Sequence, residues 1–372
     1  MAIRFSFLFF LFLFLLPACA MGPSSSREHV SLTPVSFSDL DGWKSDGPRE
    51  ALQAFSLSCV RLKKKSSWAD VCDGAAKEPQ TDEAARAFFE TAFIPYRLEG
   101  DTGEEGLFTG YYAPELHGSL RRHGAYQTPL YAQPDDLISV DLGAFKPSLE
   151  GQKIKGRVRE TSFVPYDKRA LIVEGSLKKR AKPLVWVNDP VDAFFLEIQG
   201  SGRVRLDDGN VLNLGYANSN GQAYASVGRL LAQYDLLERP ITMDLIRRWF
   251  ATYPWRAEAV MNQNESYVFF RVLPNDDVLG AMNIALTPGR SLAVDSSYHT
   301  LGAPVWLETT DGKGAPFRRL MVAQDTCGAI KGVVRGDVFW GVGEEAAAQA
   351  GAMQNRGRAF VFLPKTMTPD DE

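Results

Sequence analysis

The chain has 372 residues, 45% hydrophobic and 23% charged, a globular composition with room for two or three domains. Lys plus Arg number 41 and Asp plus Glu 45, for a net charge of −4; this balance argues against a nucleic-acid binder, which usually needs a basic face. Four His and four Cys, with no CxxC, HExxH or clustered His and no GxxxxGK[ST], argue against a dedicated zinc site and exclude a P-loop, so neither metal nor cofactor is expected.

At the N-terminus, Arg4 precedes an apolar run from Phe5 to Leu16, about 12 residues against the roughly 20 that a membrane-spanning helix needs. Residues 1–18 therefore read as a signal peptide. Leu16-Pro17-Ala18-Cys19 resembles a bacterial lipobox, in which Cys19 would be lipidated; the alternative is an ordinary signal peptide cut near Ala18 or Ala20. Residues 19–40, rich in Ser, Pro and Gly toward their start, read as a lipid-anchored tether. Ala20, not Asp, follows the cysteine, which favours the periplasmic face of a Gram-negative outer membrane. Export permits disulfides. Cys59 and Cys72 flank the basic, polar stretch Lys63–Ser67 and are expected to bridge, the alternative being two buried thiols; Cys327 is left over.

Residues 46–62 place Leu52, Phe55, Cys59 and Leu62 at helical spacing, and residues 81–94 start on the capping pair Thr81 and Asp82. From 107 the pattern turns to β: Leu107–Ala113, Pro183–Val187 and Phe194–Ile198 read as strands, and Asp208-Gly209 between alternating runs reads as a hairpin. Helices are expected over 223–235 and 241–252, a strand over Tyr267–Leu273, and then short strands with one Ala-rich helix at 344–355. The chain as a whole reads as mainly β with satellite helices, arranged in barrels.

Three segments concentrate small, polar and aromatic residues: Phe108-Thr-Gly-Tyr-Tyr-Ala-Pro114; Asp192–Arg203 with Gly215-Tyr-Ala-Asn218; and Met321–Gly332 with Arg335-Gly-Asp337. Asp325 follows an apolar strand and precedes Gly328, which would let another chain approach closely. Asp337 and Asp295 repeat that placement, so three acids at strand ends could meet on one floor; equally, each could simply start a turn. Tyr111, Tyr112 and Tyr216 could stack on sugar rings or fill a core. His117 and His123 flank a turn, and no Ser/His/Asp order suggests a triad.

At these segments the sequence resembles the membrane-bound lytic murein transglycosylase A family. The motifs are FTGYYAPEL, DPVDAFFLEIQGSGR with GYANSNGQAY, and GRSLAVD with VAQDTCGAIKGVVRGDVFWG, and the likeness runs from about Phe108 to Leu363. The last pair resembles the 3D domain, named for three aspartates, here Asp295, Asp325 and Asp337. Cys327 departs from the family's usual Gly, which could alter the turn or make the site sensitive to oxidation.

The resemblance implies a double-psi β-barrel from 41–112 and 265–365, carrying the N-terminal helices. It also implies a second β-barrel inserted at 113–264 and a glycan groove between the two. The reaction it implies is cleavage of the MurNAc-β-1,4-GlcNAc bond of peptidoglycan without water, leaving a 1,6-anhydro end. Asp325 matches the family's acid, and Asp295, Asp337, Thr109, Tyr111, Gln199, Ser201, Gly202, Tyr216 and Lys331 are its expected supports. Burial or a nearby Asp337 would raise the Asp325 pKa, and Lys331 is expected to point elsewhere or to bind substrate. Partners would be peptidoglycan strands, the outer membrane through the lipid and wall-synthesis or division proteins, with no nucleic acid. The competing readings are a non-catalytic glycan-binding, wall-loosening protein and a two-carboxylate glycoside hydrolase.

Overall fold

The computed structural model describes residues 28–76, 81–238, 241–274 and 277–368; Cys19 and the apolar leader lie outside them. Eight strands form one sheet, in the order Ser31–Pro34, Phe93–Glu99, Gln354–Pro364, Pro304–Thr310, Pro316–Asp325, Ser291–Val294, Arg335–Val342 and Gly106–Ala113. Gln354–Pro364 also pairs with Gly106–Ala113. That ladder closes the last six strands into a barrel and leaves the first two as an extension, so the barrel itself has no open edge. Two of its pairings are parallel, Ser291–Val294 with Pro316–Asp325 and Arg335–Val342 with Gly106–Ala113. Gly106–Ala113 and the strands from Ser291 to Pro364 thus share one sheet.

A second sheet runs Val268–Val272, Val211–Ser219, Ser201–Leu206, Glu115–Ser119, Pro183–Val187, Thr128–Tyr131. A bridge between Ala132 and Phe270 brings its two edges together. The ladder ends on Val268–Val272, so the expected boundary at 264 falls before its last strand. A three-stranded sheet, Ile138–Asp141, Lys153–Arg159 and Ser162–Pro165, stands apart and was not expected.

The N-terminal helices cover the first barrel. Arg49–Leu62 buries Leu52, Phe55, Cys59 and Leu62 in the same core as Val305, Leu320 and Val322. Gln324 ties that helix to the strand beneath: its Nε2 donates to the Ala54 carbonyl at 2.9 Å and to Ser58 Oγ at 3.0 Å. Arg290 and Asp46, each 4% exposed, pair at 2.9 Å and fix the segment that enters the helix. Asp82–Ala92 is capped by Thr81, whose hydroxyl accepts from the Ala84 N–H at 3.2 Å. Cys59 and Cys72 form a disulfide. Lys63–Lys65 form an exposed turn, and Ser66–Ala75, which carries Cys72, is a helix with Trp68, Val71, Cys72 and Ala75 buried.

Phe194–Ile198 is not a strand. It lies inside the helix Pro190–Gln199, started by Asp189, whose carboxylate accepts from the Val191 N–H at 2.7 Å, with Pro190 in the first turn. The helix ends at Gly200, whose φ of +80° turns the chain straight into Ser201–Leu206. Among the described residues no helix is long and apolar enough to cross a membrane.

Candidate active site

A groove of about 960 Å³ is lined from both sheets, by Tyr111, Asp325 and Asp337 on one side and Gln199, Ser201 and Tyr216 on the other. Asp325 is the last residue of Pro316–Asp325. Its Oδ2 accepts from Tyr111 Oη at 2.8 Å, and its Oδ1 accepts from the Ala281 and Thr326 N–H groups, each at 2.9 Å. Burial is the largest influence and pushes its pKa up to about 6; the three donors pull it back without prevailing. Burial, and after it the Asp325 charge, raise the Tyr111 phenol, so that hydroxyl stays a donor.

Asp337 lies within Arg335–Val342, not at a strand end. Thr109 Oγ1 donates to its Oδ1 at 2.7 Å, and Arg335 Nη2 donates to the same Thr109 oxygen at 2.9 Å. Burial, with a smaller push from Asp325, brings Asp337 to about 6 as well, despite Thr109 and Arg335. The floor therefore holds two carboxyl groups, both displaced toward neutrality and both facing the same space.

Asp295 does not join them. It follows Ser291–Val294 but turns away from the groove lining, where it accepts from the Ser297 N–H at 3.1 Å and the Gly332 N–H at 3.2 Å. Lys331 Nζ lies 3.6 Å from its Oδ1. Lys331 therefore points away from Asp325, and both residues shape the 325–335 loop from behind. Gly202 is likewise outside the lining. A Cβ there would meet Leu196 Cδ1 at 2.5 Å and the Pro114 carbonyl at 2.6 Å, so glycine is required by packing. Gly328, by contrast, has nothing within 4 Å of a Cβ, and no close approach explains it. Cys327 is half-buried in the groove, and burial raises its thiol, which disfavours the readily oxidised thiolate.

Across the groove, Gln199 Oε1 accepts from the Tyr112 N–H at 3.4 Å, and Tyr216 is 46% exposed. Behind this wall Arg169 and Glu197, each 4% exposed, pair at 2.6 Å and fix the helix that carries Gln199. Sequence reading did not single out the Ala281 N–H on Asp325, because nearly every residue type supplies that donor. It also missed Lys155, whose Nζ donates to Ser219 Oγ at 3.0 Å and to Tyr216 Oη at 3.4 Å from the separate three-stranded sheet. His123 pairs with Asp207 at 2.9 Å, away from the groove.

Residues 107–271 match the family model of the MltA specific insert domain, and residues 290–363 match that of the 3D domain. Membrane-bound lytic murein transglycosylase A of Escherichia coli K12 is 34% identical over 278 residues, covering 72% of this chain and 68% of that protein. The chain belongs to this family. A crystal structure of MltA from Neisseria gonorrhoeae is 36% identical with a TM-score of 0.81, covering 91% of this chain and 94% of that one. The membrane-bound lytic murein transglycosylase of Agrobacterium tumefaciens is 32% identical with a TM-score of 0.82, covering 90% and 98%. E. coli MltA with bound chitohexaose is 26% identical with a TM-score of 0.65, covering 91% and 95%.

Proposed function

We propose that this member of the lytic murein transglycosylase A family cleaves peptidoglycan strands in the groove, with Asp325 as the only proton-transfer group. The observation that carries this reading is an aspartate at the groove floor with a pKa near 6, so that it can hold a proton and give it up near neutral pH. Asp325 donates its proton to the glycosidic oxygen as that oxygen leaves C1 of MurNAc. The C6 hydroxyl of the same sugar attacks C1 and passes its proton to the Asp325 carboxylate. The products are a 1,6-anhydro-MurNAc end and a free GlcNAc hydroxyl; no water is consumed and the acid is restored. Because the nucleophile belongs to the substrate, its effective concentration is already high, and the second carboxylate of an ordinary glycosidase is not needed.

Thr109 and Tyr111 hold the two acids, and Gln199, Ser201 and Tyr216 face the sugars in this reading. Asp295, Gly202 and Lys331 support the walls without touching substrate. The two parallel pairings of the six-stranded barrel support the double-psi connectivity, with the inserted barrel reaching to Val272. The bound chitohexaose of the E. coli relative supports a glycan in the groove. The two-carboxylate alternative is disfavoured by Asp337: a nucleophile or base should be ionised where the acid is protonated, yet its pKa is also raised to about 6. Mass spectrometry of peptidoglycan digested in ¹⁸O-water decides between them. Anhydro-muropeptides free of ¹⁸O are expected, and labelled reducing ends would overturn the mechanism. We further propose that Cys19 carries the lipid, holding the enzyme at the periplasmic face of the outer membrane. Cys19→Ser should then move the enzyme to the soluble periplasmic fraction, and unchanged membrane association would refute the anchor.

A further inference from the structure

Beyond the loop that carries Ala281 lies a second cavity, of about 1030 Å³. Ala281 and Asn283 line both this cavity and the catalytic groove, so the two are separated by one segment of chain. Leu32, Leu62 and Leu301 line it beside hydroxyl-bearing residues such as Ser296 and Thr300, and the exposed His29, Arg61 and Lys65 line it as well. Among the described residues no carboxylate lines it, although acids outnumber bases in the chain as a whole. Lys63 nearby is paired with Asp73 at 2.7 Å, but among the described residues no acid lies within ion-pair distance of Arg61 or Lys65. Arg61 Nε donates to the Met282 carbonyl at 3.3 Å. Exposed cations beside leucine side chains are complementary to a ligand that carries both carboxylates and small apolar side chains.

We propose that this cavity is a subsite for the acidic peptide stem of the muramyl sugars, with Arg61, Lys65 and His29 receiving its carboxylates and the leucines its alanyl methyl groups. The proposal rests on the peptidoglycan reading of the groove. A strand lying across Asp325 carries its peptides beside the reacting sugar, and Ala281 couples the two spaces, because its N–H holds the Asp325 carboxylate at 2.9 Å. A membrane headgroup would use the same cations but needs neither the leucines nor the continuity with the groove.

The test uses the full chain and two substrates, intact glycan strands and strands stripped of peptide by an amidase. Lys65→Glu leaves the residues assigned to catalysis untouched. It should raise KM for intact strands roughly three- to tenfold at low salt, with kcat preserved. The effect should shrink as salt rises and be missing on stripped strands. Lys65→Gln should show a smaller effect with the same substrate dependence. An equal change on both substrates, or no change on either, would overturn the subsite. So would loss of binding to anionic phospholipid vesicles with turnover of both substrates intact. If the wild-type enzyme releases no anhydro product from either substrate, the reading of the groove has failed instead. Titrating the free acidic stem peptide onto wild type and Lys65→Glu then tests the cavity by itself: weaker binding by the variant supports it, and equal or undetectable binding by both refutes it.

Discussion

Asp325 and Asp295 stand at the ends of two neighbouring parallel strands of one barrel, yet their acidities move in opposite directions. Both accept main-chain N–H groups. Asp325 has two of these and the Tyr111 hydroxyl, and is still raised to about 6, because it sits deep at the groove floor and, among the described residues, no cation is bonded to it. Asp295 is only 4% exposed but shallow. Burial is its largest single influence too, but two N–H donors and Lys331 outweigh it and hold its pKa below the usual value. The number of donors does not decide the outcome. Depth, and a cation within reach, separate a carboxyl group that stores a proton from one that stores a charge.

The largest effect expected from this contrast is on turnover. Asp325→Asn keeps the shape but removes the proton carrier, and should lower kcat by about 10²–10⁴-fold in a protein that still folds. Asp295→Asn should keep most of its activity. Equal losses in the two variants, measured as release of anhydro-muropeptide, would erase the distinction between them.

Stability should reverse the order. Asp337 has a raised folded-state pKa, so keeping it ionised at pH 8 costs native stability, and that cost fades as pH falls through about 6 toward the unfolded value. Asp337→Asn should therefore stabilise the protein at pH 8 by on the order of 1–3 kcal/mol and do little near pH 4. The lowered pKa of Asp295 contributes stability that is present above the unfolded value near 4 and lost as the pH falls below it. Asp295→Asn should lower Tm at pH 8. Melting curves shifting the same way for both variants at pH 8 would contradict this account.

The subtlest effect concerns the pH profile. If Asp325 must begin protonated, kcat/KM of the wild type should fall as pH rises through about 6. Tyr111→Phe removes a hydrogen bond that favours the ionised form, so the falling limb should move to higher pH. A limb that stays put, or moves down, would show that some other group controls the profile.

By placement alone the three acids are alike in the sequence; the family resemblance singles out Asp325, but nothing in the sequence gives the opposite shifts of Asp325 and Asp295. What separates them is the path of the 325–335 loop and the position of Lys331, both set by contacts distant along the chain. The barrel strands were legible because aliphatic and aromatic runs alternate with turn residues, and Pro183–Val187 was read to the residue. Phe194–Ile198 misled for a physical reason. Ala193 and Leu196 pack into the core of the second sheet, and Phe194 and Phe195 into a helical core on the other side. A helix buried all round has no polar face, so it shows no period. The sheet over 138–165 failed in the opposite way: Ile138, Ile154, Val158 and Phe163 are exposed, and little burial contrast marks its strands.

The contact made by Gln324 bears on how this protein can be divided. The recognisable family regions run from 107 to 271 and from 290 to 363, whereas the residue next to Asp325 is anchored to Ala54 and Ser58. A gene trimmed to residues 107–363 would encode the whole groove lining but not the helices Arg49–Leu62, Ser66–Ala75 and Asp82–Ala92, which share a core with Val305, Leu320 and Val322. The portable unit of this enzyme is therefore larger than the stretch by which its relatives are recognised, and transplanting the site into another scaffold means carrying the N-terminal helices with it.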